Sequence, residues 1–532
     1  MPSLSNADHR LCPPLVQIPR DYNAAHDLIE RNLAAGRAGK PAYIDDQGTY
    51  TYGELAERVN RCANALIALG LQPEQRVLLC LHDTIDFPAA FLGSIKAGIV
   101  PVAGNTLLTT KDYDYMLRDS RAHALIVSAP LLPAFTPLIG TLPHLKHVIV
   151  SGGSAVEAGS HHSLAKIMAA AGTTFSPAET TCDDACFWLY SSGSTGAPKG
   201  TVHSQSSLIL TAELYAKPIL GIREDDLVFS AAKLFFAYGL GNGLTFPLSV
   251  GATTVLMAER PTPQAVFARL LKHQPTIFYA VPTLFAALLA SPELPARGAL
   301  KIRRCTSAGE ALPADIGRRW TEHFGVEILD GLGSTEMLHI FLSNRPGEVR
   351  YGTSGTPVPG YELRILGDDG APVAPGEVGE LQINGPTAAI GYWNNREKSR
   401  GTFQGAWTRS GDKYSIDANG YYVYSGRSDD MLKVGGIYVS PIEVESALIT
   451  HPAVLEAAVI GKEDDQHLTK PAAYVVLKSG NQRSDALAEE LRQHVKSKLA
   501  PWKYPRWVEF IDELPKTATG KIQRFKLRAM AA

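Results

Sequence analysis

The chain has 532 residues, a length that suits two to four domains. Hydrophobic residues make up 45% and charged residues 20%, and 51 Lys plus Arg against 53 Asp plus Glu leave a net charge of -2. That balance excludes a polybasic nucleic-acid coat or membrane-surface binder, and no run of about 18 apolar residues is available to span a bilayer. Residues 1–20 lack a signal peptide's apolar core, so the cytoplasm is the expected compartment, with neither nucleic acid nor membrane as partner. Cys12, Cys62, Cys80, Cys182, Cys186 and Cys305 show no paired zinc-type spacing. Cys182 and Cys186 come nearest, but Cys186 opens an apolar run, and reduced thiols are expected throughout.

Short apolar runs alternate with helix-period stretches over the first two-thirds. Arg76–His82 predicts a buried strand, Phe87–Ala97 a helix, and Ile99–Ala103 the next strand. Further β-branched runs fall at Ala124–Ser128, Val148–Ser151, Thr253–Met257 and Ile277–Ala280. This alternation predicts α/β layers with substantial parallel pairing. After Tyr351, alternating runs such as Glu362–Ile365 and Gly379–Ile383, with turn signals at Asp369-Gly370 and Asn419-Gly420, predict a small antiparallel β unit. From Asp429 a compact α+β unit is expected, with helices over Pro441–Thr450 and Asp485–Leu499 and strands over Ala457–Ile460, Ala473–Leu477 and Trp507–Ile511. The expected domains are therefore 1–428 and 429–532.

The most informative segment is Tyr190-Ser191-Ser192-Gly193-Ser194-Thr195-Gly196-Ala197-Pro198-Lys199-Gly200. Small residues let backbone N–H groups converge on anionic oxygens, hydroxyls donate further bonds, and Lys199 adds charge. The loop is a phosphate cradle without Walker spacing; the bland alternative is a flexible Ser/Gly linker.

This loop resembles the signature of the acyl-adenylate-forming superfamily, which holds acyl- and aryl-CoA ligases, peptide-synthetase adenylation domains and beetle luciferases. Four more motifs follow in that superfamily's order: Gly331-Leu332-Gly333-Ser334-Thr335-Glu336, Ser410-Gly411-Asp412, Gly426-Arg427-Ser428-Asp429-Asp430, and Pro515 to Lys521. The resemblance extends from about Asp21 to Arg528. It implies a large N-terminal domain of layered α/β subdomains, which holds the ATP and acid sites, and a small mobile C-terminal domain that turns about a hinge at Asp429. Glu336 is then the Mg²⁺ residue, with Thr335, Ser191, Ser192, Gly193, Ser194, Thr195, Gly196 and Lys199 around the phosphates. Asp412 suits both ribose hydroxyls because a carboxylate accepts through two oxygens. Arg427 supplies a fixed guanidinium near ribose or phosphate. Ser307, Gly309 and Glu310 resemble the segment that flanks adenine, beside Gly331 and Leu332. Lys521 is the lysine that meets the negative charge developing as carboxylate attacks the α-phosphorus. Without the resemblance, Glu336 and Lys521 read as solvated surface charges and Asp412 as an Asx-turn.

Two departures mark this chain. Leu332 stands where relatives often carry an aromatic residue against adenine, and Phe236 where many carry histidine beside the acyl site. Phe236 is read as an aromatic gate, with plain core packing as its alternative. Phe236, Ala237 and Tyr238 suit a flat ring slot, and Gly333, His339 and Ile340 are further expected substrate residues; no Asp from Leu234 to Gly239 offers an amino-acid substrate a carboxylate. His339 either closes the ring's far edge or is a satisfied core histidine. The combination resembles benzoate–CoA ligases and implies benzoate, ATP, Mg²⁺ and coenzyme A as reactants. Hydroxy- or halobenzoate ligation, or loading of a separate carrier protein, are the alternatives. Gly436, in Lys433 to Ile437, would border the pantetheine tunnel or form a tight turn, and the end at Ala532 leaves no carrier domain, so free CoA is the expected acceptor. A homodimer, and a lysine acetyltransferase and deacetylase acting on Lys521, are further expected partners.

Overall fold

The computed structural model describes residues 2–152, 161–191, 197–428, 430–434, 437–465, 468–500, 502–516 and 522–531, with backbone alone at 433, 437 and 438. Two large sheets dominate the N-terminal part. One has eight strands in the order Gly391–Tyr392, Lys199–Ser204, Ala185–Ser191, Val100–Ala103, Arg76–Cys80, Ala124–Ser128, His147–Ser151 and His162–Ser163. The other has nine: Thr356–Pro357, Ile340–Ser343, Ile328–Gly333, Arg304–Ser307, Ile277–Ala280, Leu227–Ser230, Thr253–Val255, Pro41–Ile44 and Thr49–Thr51. Their central pairs are parallel, as the strand–helix alternation predicts.

Parallel strands covered on both faces are continuous apolar runs, and alternate residues of these runs enter different cores. Leu79 and Ile126 join Val228 and Tyr279 of the other sheet in one shared core between the sheets. Leu78 and Leu125 face an outer core of their own. Phe229 and Phe278 face a third, closed by Trp320. Helix Asp86–Lys96 lies in the shared core and is buried along almost its whole length, Ser94 and Lys96 included. Strand Arg76–Cys80 stops two residues short of the expected His82, because Thr84 donates its N–H back to the His82 carbonyl and turns the chain.

A five-stranded antiparallel sheet follows: Glu362–Leu366, Gly379–Asn384, Phe403–Gln404, Trp407–Ile416 and Tyr422–Arg427. Ser354 and Gly355 exchange backbone hydrogen bonds with Tyr422, and this ties the small sheet to the edge of the nine-stranded one. The C-terminal unit is α+β: strands Val454–Glu463, Thr469–Leu477 and Trp507–Phe510, with helices Pro441–Ile449, Asp485–Lys498 and Arg524–Ala531. Its two hydrophobic clusters draw only on residues from Leu432 onward. Strand Val454–Glu463 outruns the apolar core Ala457–Ile460 on which the sequence expectation rests, because the ladder to Thr469–Leu477 continues through charged residues as far as Glu463↔Thr469. Among the described residues no helix is long and apolar enough to cross a membrane.

The strand that leads to the acyl-site segment is held at its start by an ion pair between buried Asp226 and half-buried Arg303. Asp226 receives Arg303 Nε at 2.9 Å and Nη2 at 2.5 Å, Thr276 Oγ1 at 2.7 Å and the Arg223 N–H at 2.7 Å. Burial disfavours its charge, but these hydrogen bonds outweigh burial and hold the carboxyl below its ordinary value. A depressed folded pKa contributes stability above the ordinary carboxylate range, and that contribution is lost as pH falls through the folded value. Removing a carboxylate hydrogen-bonded to a charged group costs about 1.5–3 kcal/mol, since the half-buried guanidinium left behind can be hydrated. Asp226→Ala is therefore expected to lose about that much in denaturant unfolding at pH 7, and the gap from wild type is expected to narrow below about pH 4. An unchanged midpoint at pH 7 would contradict this.

Candidate active site

The segment after Ile328–Gly333 reverses to Ile340–Ser343 within six residues and carries Thr335 and Glu336 at its tip. Ser334 Oγ accepts the Met337 N–H at 3.1 Å, and Thr335 O accepts that of Leu338 at 3.2 Å. Leu338 takes φ +66°, a left-handed conformation that costs a branched residue about 1–2 kcal/mol. The tip is fixed from outside as well: Ala389 donates its N–H to Glu336 O at 2.8 Å and Thr387 Oγ1 donates to Met337 O at 2.8 Å. His203 is fully buried, is pushed down to about 4 by burial, and is therefore neutral; its Nε2–H donates to Thr335 O at 2.9 Å.

The Glu336 carboxylate meets the eight-stranded sheet. Its Oε1 accepts from Tyr392 OH at 2.8 Å and from Ser191 Oγ at 3.3 Å. Ser191 and Lys199 are opposite one another in the antiparallel ladder that carries the phosphate-type loop. Lys199 Nζ donates to Tyr392 OH at 3.3 Å, and burial lowers its pKa against the opposing pull of Glu336. Ser191, Lys199, Thr335 and Glu336, predicted from separate motifs, are thus brought together. Ser192, Gly193, Ser194, Thr195 and Gly196 lie outside the described residues. Carboxylate, hydroxyl and phenol oxygens are hard donors of the kind Mg²⁺ takes, and a site with one carboxylate suits an ion that arrives with phosphates. Among the described residues no group of three His, Cys, Asp or Glu side chains could hold a metal by itself.

The adenine-type segments lie side by side in the nine-stranded sheet, where Ser307 is the ladder partner of Asp330. Gly309 takes φ +96°, and a Cβ on Gly331 would stand 2.8 Å from Leu342 O. Glu310 follows Gly309 in the loop after Ser307, and half-buried Leu332 packs against the shared core in place of an aromatic ring. Asp330 escapes the sequence reading: it is buried, accepts the Leu312 N–H at 3.4 Å, and is pushed up to about 8 by burial. Asp412 and Arg427, from two different motifs, are opposite residues of one hairpin. Arg427 Nη1 donates to Asp412 Oδ1 at 3.2 Å and to Ser410 O at 3.3 Å, so the guanidinium orients the carboxylate. Asp429, Gly436 and Lys521 lie outside the described residues.

The acyl segment begins where Asp83, at the end of the other sheet, accepts the Leu234 N–H at 3.3 and 3.4 Å. Phe236, Ala237 and Tyr238 are half-buried. Tyr238 OH bonds Thr306 Oγ1 at 2.6 Å, which fixes the phenol against the strand before Ser307. The helix Ala237–Leu240 passes into a π-helical turn, Gly241–Thr245, a widening common at functional sites and absent from any sequence signal. His339 is buried among Phe246 (4.5 Å between centroids), Tyr215 (5.5 Å) and Tyr238 (5.6 Å). Burial pushes it down to about 3, so the ring is neutral; Nε2–H donates to Tyr238 O at 3.2 Å, and Nδ1 has no partner among the described residues. One nitrogen of His339 is thus satisfied within the core and the other is a bare acceptor. Ile340 is buried and pairs with Gly333, whose hydrogen lets the His339 carbonyl approach. Tyr215, on the π-helical segment Ala212–Leu220, joins this wall from a stretch without motif character.

The AMP-binding enzyme model matches residues 30–393 and the AMP-binding enzyme C-terminal domain model residues 443–521, so the chain belongs to the family of AMP-binding enzymes. It is 66% identical to a benzoate–CoA ligase of Thauera aromatica over 531 residues, covering 99% of this chain and all of the relative. Among solved structures it resembles a benzoate CoA ligase from Burkholderia xenovorans (TM-score 0.90, 59% identity, 95% of this chain and 100% of that one). It also resembles an anthranilate CoA ligase in complex with anthranoyl-AMP (TM-score 0.93, 46% identity, 97% and 98%).

A Cβ on Gly241 would stand 2.4 Å from His339 Cδ2. Overpacking of this kind costs about 1–3 kcal/mol, and relief requires the imidazole to move. Gly241→Ala is expected to lower the thermal midpoint by the corresponding few degrees and to raise KM for the aryl acid while leaving KM for ATP within about twofold. Equal rises in both would mean that Gly241 does not shape the acyl side alone.

Proposed function

We infer that this chain is an AMP-forming acid–thiol ligase that converts benzoate, ATP and CoA to benzoyl-CoA, AMP and pyrophosphate. The observation that carries this reading is the Glu336 carboxylate, held by Ser191 and Tyr392 beside an aromatic wall, in a chain similar to benzoate–CoA ligases over its full length. In the first step a benzoate oxygen forms a bond to the α-phosphorus and pyrophosphate leaves. In the second the CoA thiolate attacks the carbonyl of benzoyl-AMP and AMP leaves.

We propose these roles for the chain's own residues. Glu336 holds Mg²⁺, which when bound neutralises phosphate charge. Thr335, Lys199 and the loop Ser191 to Gly196 hold the phosphates; Asp412, oriented by Arg427, takes the ribose hydroxyls. Ser307, Gly309, Glu310, Gly331 and Leu332 flank adenine, and buried Asp330 lies next to Ser307 on the neighbouring strand. Phe236, Ala237, Tyr238, Gly333, His339 and Ile340 hold the ring; their uncharged character favours an aryl group over an acyl chain that carries a second charge. Lys521 meets charge developing at the α-phosphate, and its replacement by the Gly436 loop on rotation about Asp429 admits CoA. The division at 428/429 is supported by C-terminal clusters built from residue 432 onward. Acetylation of Lys521 would remove the ammonium and with it the first step. Six free cysteines support a reducing, cytoplasmic setting, and a homodimer remains part of the proposal.

The reading is checked by incubating purified protein with ATP, Mg²⁺, CoA and a panel of acids, with no carrier protein. Benzoyl-CoA, AMP and pyrophosphate are expected in equal amounts, with octanoate turned over far more slowly. Close ring analogues should leak through, since one methylene in a pocket is worth only about 1–3 kcal/mol. Equal turnover of octanoate, or a requirement for a carrier protein, would contradict it.

A further inference from the structure

Tyr392 belongs to none of the motifs above, yet it touches two of them. Its two-residue strand, Gly391–Tyr392, pairs with Lys199–Ser204 through Thr201↔Tyr392. The backbone on either side is clamped. Tyr392 N–H donates to Ser399 Oγ at 2.9 Å, and Trp393 N–H donates to Gly200 O at 2.8 Å. The Trp393 indole donates to Asp119 O at 2.9 Å and packs against Trp188 at 4.7 Å, with the Arg76 guanidinium 5.1 Å from its centroid. The phenol is therefore delivered to one place.

There it accepts from Lys199 Nζ at 3.3 Å and donates to Glu336 Oε1 at 2.8 Å, and the ammonium also lies 4.5 Å from its ring centroid. Among the described residues no ion pair within 4 Å joins Lys199 to Glu336 directly, so the hydroxyl is the link between them. Tyr392 is 7% exposed, and a buried hydroxyl without partners is costly. Here both of its hydrogen-bonding functions are met by charged groups, each of which polarises the other bond. The same hydroxyl shares Oε1 with Ser191, so both described donors hold one oxygen of the carboxylate.

We propose that Tyr392 is a positioning residue for the adenylation step. It fixes the Glu336 carboxylate through Oε1, turns the other oxygen to Mg²⁺ arriving with the triphosphate, and couples that carboxylate to the lysine of the phosphate loop. The proposal rests on Glu336 as the Mg²⁺ residue. It predicts that loss of the hydroxyl weakens metal–nucleotide binding, not the thiol-transfer step.

The test is Tyr392→Phe in the full chain, which keeps the ring and its contact with Phe403. Binding of Mn²⁺ with a non-cleavable α,β-methylene ATP is followed by calorimetry and by the Mn²⁺ spin-resonance signal, without turnover. Loss of a hydrogen bond to a charged group predicts a Kd about 10- to 100-fold weaker, and a parallel rise in the Mg²⁺ needed for benzoate-dependent pyrophosphate exchange. Conversion of supplied benzoyl-AMP and CoA should stay within about twofold. In a Glu336→Gln background the same substitution should add little, since the partner carboxylate is gone. If Glu336→Gln weakens metal binding and Tyr392→Phe does not, the Tyr392 proposal fails while the Glu336 reading stands. If Glu336→Gln itself leaves metal binding unchanged, the underlying reading fails. Equal losses in both half-reactions would make Tyr392 a structural residue and overturn its assigned role.

Discussion

Two sheets that share one core must bring the ends of their strands together around one carboxylate, and most of the molecule serves that constraint. Glu336 leaves the nine-stranded sheet on a tight reversal; Ser191, Lys199 and Tyr392 come from the edge of the eight-stranded one. A carboxylate at such a junction is stable only if its lost hydration is replaced by donors. The Tyr392 and Ser191 hydroxyls supply them, with the Lys199 ammonium behind. The strain at Leu338 and the neutral His203 beneath Thr335 are consequences of holding the reversal rigid.

The acyl wall follows a different rule. It is made neutral by burial: Tyr238 keeps its proton, His339 loses the tendency to take one, and the ring segment from Leu234 to Gly239 contains no charged residue of its own. The width of that wall comes from backbone as much as side chains. The π-turn at Gly241–Thr245 and the bare Cα of Gly241 give the imidazole its place. Asp83 and Asp45 carry the join to the neighbouring sheet, since Leu234 and Ile85 donate their N–H groups to these carboxylates.

Much of this was legible in the chain. Strands Ala124–Ser128 and Ile277–Ala280 fall where the β-branched runs predict, because a doubly covered parallel strand is its own apolar signal. Asp412 and Arg427 each stand out by motif, although only the hairpin register shows that they pair. Strand ends were harder, since a ladder continues through charged residues when its partner offers carbonyls and amides, as at Val454–Glu463. The π-turns left no trace because their sequence reads as ordinary helix. Tyr392 lies 193 residues from Lys199 and 56 from Glu336 in a segment of ordinary composition. Its place is set by strand pairing, which one sequence does not encode locally. Asp330 was hidden for the same reason: next to Gly331 it looks like a turn residue, and only the sheet buries it.

The central claim is that Glu336 is the point where the two sheets meet the metal–nucleotide complex. A crystal structure of the protein with benzoate, Mg²⁺ and α,β-methylene ATP tests this most directly. The account predicts Mg²⁺ at about 2.0–2.1 Å from one Glu336 oxygen, with Tyr392 still donating to the other and the benzoate ring against the segment Phe236 to Tyr238. A metal held elsewhere, with Glu336 remaining bound only to Ser191 and Tyr392, would contradict it.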